Sequence, residues 1–346
     1  MVRKVLVGVS AAAALLALSA GSAQAQTKLK LGTAAAPDSP WGQVFKTWRK
    51  AVEAKTGYAE GKSGVSFDFF FNSTQGTEAT MVDKMKAGQL DGAAVTSVGL
   101  GKIDKRLLAV QVPGVMRSWK QVDAVRGTIQ AEYDKFLTDK KFTPIVWADV
   151  GKAHFLSKGF QVKVPDDLKG KSPWVYAEDP ILKSVYATIG GVNPFPAELM
   201  QVLPNLDNGK INCMSVSALA AEMLQWNSKF DYAVDTVNGI VVGGLVMSSD
   251  ALDKLPADQK AAVIDTGAAM GNSGAGLKAR IRNEDAAAWD RFKKRTGVTL
   301  YSPTPDELAK WSNVFKTARG TLKAGTFDPG LVGKIESAAA GAPDKD

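Results

Sequence analysis

The chain has 346 residues, with 43 Lys and Arg against 35 Asp and Glu, a net charge of +8, one histidine and one cysteine. One cysteine excludes an intrachain disulfide, and one histidine excludes a histidine-rich metal site. The basic residues are scattered instead of gathered into tracts with interleaved aromatics, which argues against a nucleic-acid face and for solubility or attraction to anionic surfaces.

At the start, Arg3 and Lys4 precede an apolar run from Val5 to about Leu18, followed by Ala23-Gln24-Ala25. This three-part pattern predicts a secretory signal over residues 1–25, cut after Ala25. The apolar run is shorter than the roughly 20 residues of a membrane span, and no cysteine near the cut supports a lipid anchor. The remainder, residues 26–346, is long enough for two lobes and contains no further apolar span.

In chain order, Lys28 to Thr33 alternates as a first strand. Trp41, Val44, Phe45, Trp48, Ala51 and Val52 then recur at helical spacing, with Ser39 as N-cap and Pro40 as first helical residue. Trp41 faces either a cleft or the core. Val65 to Phe71 is a strand, with Val65, Phe67, Phe69 and Phe71 on one face. A loop, a helix ending near Gly88 and a strand over Ala93 to Thr96 complete a βαβ unit, which predicts a parallel sheet. Leu107 to Val115 reads as another strand, Trp119 to Phe136 as a helix, and Thr143 to Trp147 and Ala153 to Leu156 as separate strands around Gly151. Asp166 and Asp167 cap a turn that Gly170 ends, before an extended run from Pro173 to Tyr176. Pro180 to Ile189 is a helix, and Pro196 starts a shorter one. Asp231 to Thr236 is a strand. Gly239 to Met247 is apolar on both faces and therefore central, and Gly243-Gly244 within it marks a close backbone approach. Leu255 to Gly297 is one long helical stretch interrupted only at Gly271 to Gly276. A last helix carries Leu308, Trp311, Val314 and Phe315, and the tail is expected to fray.

Walker loops, nucleotide fingerprints, HExxH and cysteine clusters are absent, so the sequence does not read as an enzyme and calls for no cofactor. Cys213 lies in a buried strand-like run and reads as an inert thiol. His154 lies in a similar run, as a packed or pocket-wall imidazole.

Two stretches carry a family resemblance. Val164 to Glu178, VPDDLKGKSPWVYAE, resembles the "PxDLKGxKxR" segment of DctP receptors, the solute-binding proteins of TRAP transporters. Gly76, Glu78, Met81, Gly88 and Asp91 match that family's "GxExxMxxxxxxGxxD" pattern. The resemblance implies a two-lobed α/β periplasmic binding protein with a long spine helix and a hinge-bending cleft. One lobe would comprise residues 26–148 plus about 239–275 and the other residues 149–238 plus about 276–338, with 339–346 a frayed tail. It also implies a small-molecule ligand delivered to a small and a large TRAP membrane subunit.

Trp174 stands where relatives carry the arginine that clamps a substrate carboxylate, and Ala153 where many carry a second arginine. Asn212 to Val216 replaces a polar set, with Met214 and Val216 apolar and Ser215 polar; Trp226 falls where relatives often place Phe or Tyr. Glu78 reaches the cleft in relatives, although first-turn charge on a helix explains it equally. Trp174, Trp226, Glu78, Met214, Ser215, Val216, Trp41, His154 and Ala153 are thus the expected ligand-binding residues, for an apolar or amphipathic ligand. The alternatives are an organic acid held by Lys152 or Lys171, or a periplasmic carrier of a hydrophobic molecule without an importer. The missing arginine also resembles a subgroup associated with a periplasmic tetratricopeptide-repeat protein.

Overall fold

The computed structural model of the chain describes residues 26–61, 63–272 and 276–346, so the expected signal lies outside the described residues. No described helix is long and apolar enough to cross a membrane.

In chain order the first elements are β1 (Thr27–Thr33), α1 (Pro40–Thr56), β2 (Val65–Phe70), α2 (Glu78–Lys86), β3 (Gly92–Thr96), α3 (Ser97–Ile103), α4 (Trp119–Thr138) and β4 (Phe142–Ser157). β5 (Trp174–Val175), α5 (Pro180–Ile189), β6 (Phe195–Pro196), α6 (Leu199–Asp207), β7 (Cys213–Ser217), α7 (Ala218–Met223), β8 (Tyr232–Val234) and β9 (Gly239–Ser248) follow. The last are α8 (Ser249–Leu252), α9 (Ala257–Asn272), α10 (Leu277–Lys293), β10 (Thr299–Tyr301), α11 (Pro305–Lys323) and α12 (Pro329–Ala340).

Local chemistry explains the starts. Ser39 is extended and its hydroxyl accepts from the Gly42 N–H, with Pro40 opening α1. Asp179 caps α5 in the same way, accepting from Ile181 and Leu182. β1 pairs in parallel with β2 and β3, as the βαβ reading expects.

The main sheet runs β10-β8-β4-β9-β3-β1-β2, with β7 also on β4. β4 and β9 are the long strands: they pair antiparallel from Phe142↔Ser248 to Ala153↔Gly239 and carry the chain from one half of the sheet to the other. The expected strands at Thr143–Trp147 and Ala153–Leu156 are therefore one. Register shifts at Pro144/Val146 and Asp149/Gly151 bend the strand without ending it, which is how a bulge differs from a break. Leu107 to Val115, expected as a strand, is instead a 3₁₀ turn over Lys105–Gln111 that Asp104 caps.

The apolar clusters divide with the sheet. Trp48, Phe67 and Leu31 lie with α1 and α9 on one face of the first half, while Val122, Val125 and Ile129 of α4 lie on the other. Trp174, Trp226 and Met214 share a cluster in the second half. The expected spine is described as two helices, α9 and α10. Of these two helices it is α10 that joins the halves, because Leu277 and Ile281 enter the first core and Phe292 the second. α11 packs on α5, as expected of the second half, through Trp311 and Phe315. α12 corrects the expected division. Its Leu331, Val332, Ile335 and Ala339 pack against α4, so residues 329–340 belong with the first half. The tail, expected to fray, lies against the start of α4: Asp346 accepts from the Trp119 N–H at 2.7 Å and Ser118 donates to the Pro343 carbonyl.

Candidate functional site

A cleft opens where β4 and β9 cross between the halves, and it contains two adjoining chambers. The first, about 150 Å³, is walled by the β1–α1 loop, β3, β9 and the start of α10, with Trp41, Phe45 and Glu78 among its residues. The second, about 160 Å³, is walled by Trp174, Trp226, Ala153, Ser215 and Val216 from the second half and by Gln111 to Gly114 from the first. The loops and strand ends of both halves thus converge on one site, as expected of a cleft at a topological crossing.

The two indoles form the apolar wall. Trp174 is 5% exposed and its Nε1–H donates to the Ala197 carbonyl at 2.9 Å. Its ring meets Trp226 edge-on at 5.3 Å and Tyr176 at 4.8 Å. The alternation of the extended run explains this, since residues 174 and 176 share a face. With its single N–H occupied by a carbonyl, Trp174 offers a ligand only its ring.

Glu78 stands at the start of α2 and also reaches the cleft, so both sequence readings of it apply. Its carboxylate accepts from the Thr96 N–H at 3.0 Å, the Thr96 hydroxyl at 2.7 Å and the Gly99 N–H at 3.0 Å. Burial pushes its carboxyl up, against those three donors. Asp179 in the second chamber is likewise raised by burial, and its Oδ1 accepts from the Ile181 and Leu182 N–H groups at the start of α5.

Among the described residues, no lysine or arginine lines either chamber. The lysines of the organic-acid alternative lie elsewhere: Lys152 pairs with Asp346, and Lys171 sits over the Phe160 ring at 4.4 Å. Two arginines beside the cleft strand β4 are committed to acids. Buried Asp149 of β4 accepts from Arg126 at 2.5 Å and from Arg282 at 2.7 Å, and Arg282 also grips Asp123. Trp41 lines the first chamber while its Nε1–H donates to the Asp149 carbonyl at 3.2 Å, so it serves both cleft and core.

Two expected residues do not line the chambers. Met214 is wholly buried in the second half's core, while Ser215 and Val216, further along β7, reach the cleft. His154 stacks on Trp289 at 3.8 Å and lies 3.2 Å from the Val234 carbonyl. Burial lowers its pKa to about 4. Burial also pushes the Cys213 thiol up to about 12, as expected of an inert thiol.

Sequence reading left out Tyr176, Leu199, Ala220 and Leu224, which line both chambers, and Asn238, which lines the second. Tyr176 was within reach, two residues past Trp174 in an extended run; the others sit on short helices and a turn with no periodic signal.

A family model described as DctP, bacterial extracellular solute-binding protein, family 7, matches residues 31–320. A solute-binding protein of Verminephrobacter eiseniae is 28% identical over 275 residues, 77% of this chain and 76% of that one. In three dimensions the chain is similar to the sugar acid binding protein DctPAm of Advenella mimigardefordensis, in complex with galactonate, with a TM-score of 0.81 at 16% identity over 91% of this chain and 98% of that one. It is similar also to a TRAP periplasmic solute binding protein of Shewanella oneidensis with bound succinate, with a TM-score of 0.80 at 17% identity over 91% and 100%. These likenesses show the fold, two lobes about a cleft.

Proposed function

This chain belongs to DctP, family 7 of the bacterial extracellular solute-binding proteins, and from that premise we propose that it is a periplasmic receptor for an uncharged, apolar or amphipathic solute, which it passes to a TRAP-type importer. The family is one of solute receptors, not enzymes. The lobes would divide at the β4–β9 crossing, with the ligand between them and the closed form recognised by the membrane subunits.

The observation that supports the ligand class is the absence of any cation from the described walls of both chambers. Solved relatives hold galactonate and succinate. A carboxylate in this cleft would meet Glu78 and Asp179 with no guanidinium to pair with. Burying an unpaired carboxylate costs several kcal/mol, comparable to the ~8 kcal/mol of a micromolar complex. An apolar body packed on Trp174 and Trp226 incurs no such cost.

Calorimetric titration with succinate and galactonate tests the reading. No saturable heat up to millimolar concentration is expected. Micromolar binding of either acid overturns it. Delivery to an importer is tested separately, by asking whether deletion of neighbouring genes for one small and one large membrane protein abolishes receptor-dependent uptake. The repeat-protein partner rests on the missing arginine alone, and co-purification with a tetratricopeptide-repeat protein would support it.

A further inference from the structure

The two chambers adjoin through a ring of side chains common to both: Thr96, Val150, Tyr176, Leu199, Ala220 and Leu224. Tyr176 and Leu199 also line a third, outer space of about 230 Å³ whose wall includes Met200, 65% exposed. The cleft therefore runs from this outer space past the shared side chains into the inner chamber. A compact solute would fill one chamber and leave the other empty.

The inner chamber has one polar pair in an otherwise apolar part of its wall. The Ser215 hydroxyl donates to Asn238 Oδ1 at 2.9 Å. Asn238 Nδ2 is buried and has no hydrogen-bond partner among the described residues. A buried amide donor without an acceptor is costly, so an acceptor there would be favoured. The Asn238 backbone is held by a bond from its N–H to the Ala153 carbonyl at 3.0 Å, so the amide's position is set by β4.

We propose that the cleft takes a linear ligand: an apolar chain threaded through the ring between the chambers and ending in an uncharged hydrogen-bond acceptor at Asn238. Acids, not cations, flank the path, with Glu78 on the outer side and Asp179 in the inner chamber, which favours a hydroxyl, amide or ester terminus over a carboxylate. This inference rests on the uncharged-solute reading and adds the shape and the polar end.

The test uses n-alkan-1-ols from hexanol to decanol, with decanoate as the charged control, measured by quenching or shift of tryptophan emission. The full chain is expected to bind the alcohols with roughly fourfold tighter affinity for each added methylene. Ala220→Phe, which fills the ring, is expected to weaken decanol at least tenfold and leave hexanol within twofold. Asn238→Ala is expected to weaken every alcohol about tenfold. Thermal unfolding confirms that the variants fold, and Leu199→Phe serves if Ala220→Phe does not. Alcohols that bind without dependence on length, or decanol binding unchanged in the ring variant, overturn the linear ligand and leave the uncharged-solute reading standing. Decanoate bound while the alcohols are not overturns both.

Discussion

Trp174 replaces a charge by a ring, and its surroundings leave little room to reverse that exchange. Its N–H is committed to Ala197 and its ring rests against Trp226 and Tyr176. Trp174→Phe should leave the Ala197 carbonyl unpaired and destabilise the fold by about 1–3 kcal/mol, read from urea unfolding. Two other buried groups make a paired prediction about pH. Burial raises Asp285 from its ordinary value near 3.8 to about 6, although the Lys152 and Leu219 N–H groups donate to it. The folded state therefore holds that proton more tightly, and the Asp285 contribution falls as pH rises from about 4 to 6, by on the order of 3 kcal/mol. His154 acts oppositely. Lowered from 6.5 to about 4, it makes the unfolded chain the better proton binder, so its contribution falls as pH drops through the same window. Asp285→Asn should steepen the loss of stability toward pH 4, relative to the native chain, and His154→Phe should lessen or reverse it. Unfolding midpoints from pH 4 to 7 check both signs. At this scale the sequence was informative about which residues were unusual and less so about where they point. Ser215 and Val216 reach the cleft while Met214, one residue earlier on the same strand, does not; Met214 and Val216 share a face, so position along the strand separates them, which the resemblance alone did not resolve.

Elements with an amphipathic period and a side-chain cap were legible: α1 begins at Pro40 after the Ser39 cap, and α5 spans Pro180–Ile189 as read. β4 was not, because Gly151 looks like a break in a string of residues, whereas the structure makes it a close approach, with an added Cβ 2.3 Å from Ser217 Cβ. The opposite inference from glycine worked on β9. Gly243-Gly244 signalled close packing, and the partner is the β3 backbone, since a Cβ at Gly243 would lie 2.3 Å from the Val95 carbonyl oxygen. Gly243→Ala should push β3 from β9 at the chamber wall. We expect a loss of about 1–3 kcal/mol in chemical unfolding, together with weaker ligand binding. α12 was misplaced because its apolar face fits either half in principle; the decision lies in α4, whose Val122, Val125 and Ile129 leave a matching face that no local pattern in α12 reports.

Across the whole molecule, β4, β9 and α10 are the connections along which the halves would move, and one ion network centred on buried Asp149 ties β4 and α10 to α4. Asp149 on β4 holds Arg126 of α4 and Arg282 of α10, and Arg282 lies 4.7 Å over the Trp119 ring. Removing the acid leaves two guanidinium groups short of a partner, so Asp149→Ala should cost about 3–5 kcal/mol, seen as a lowered urea midpoint. The same network holds Arg126 and Arg282 away from the cleft, so the site differs from an arginine-clamped one in the partners of these cations as well as in Trp174. This arrangement was only half legible: the missing arginines show in the sequence, but the commitment of the remaining ones depends on tertiary contacts, Arg126 to Asp149 across 23 positions and Arg282 to Asp149 across 133. The central claim is that the cleft selects an uncharged, largely apolar solute. It is tested most directly by native mass spectrometry of the purified protein, followed by denaturing extraction and identification of the compound released. A lipid-like or otherwise uncharged apolar molecule bound one to one is the predicted result. A small organic acid in that place would contradict the account.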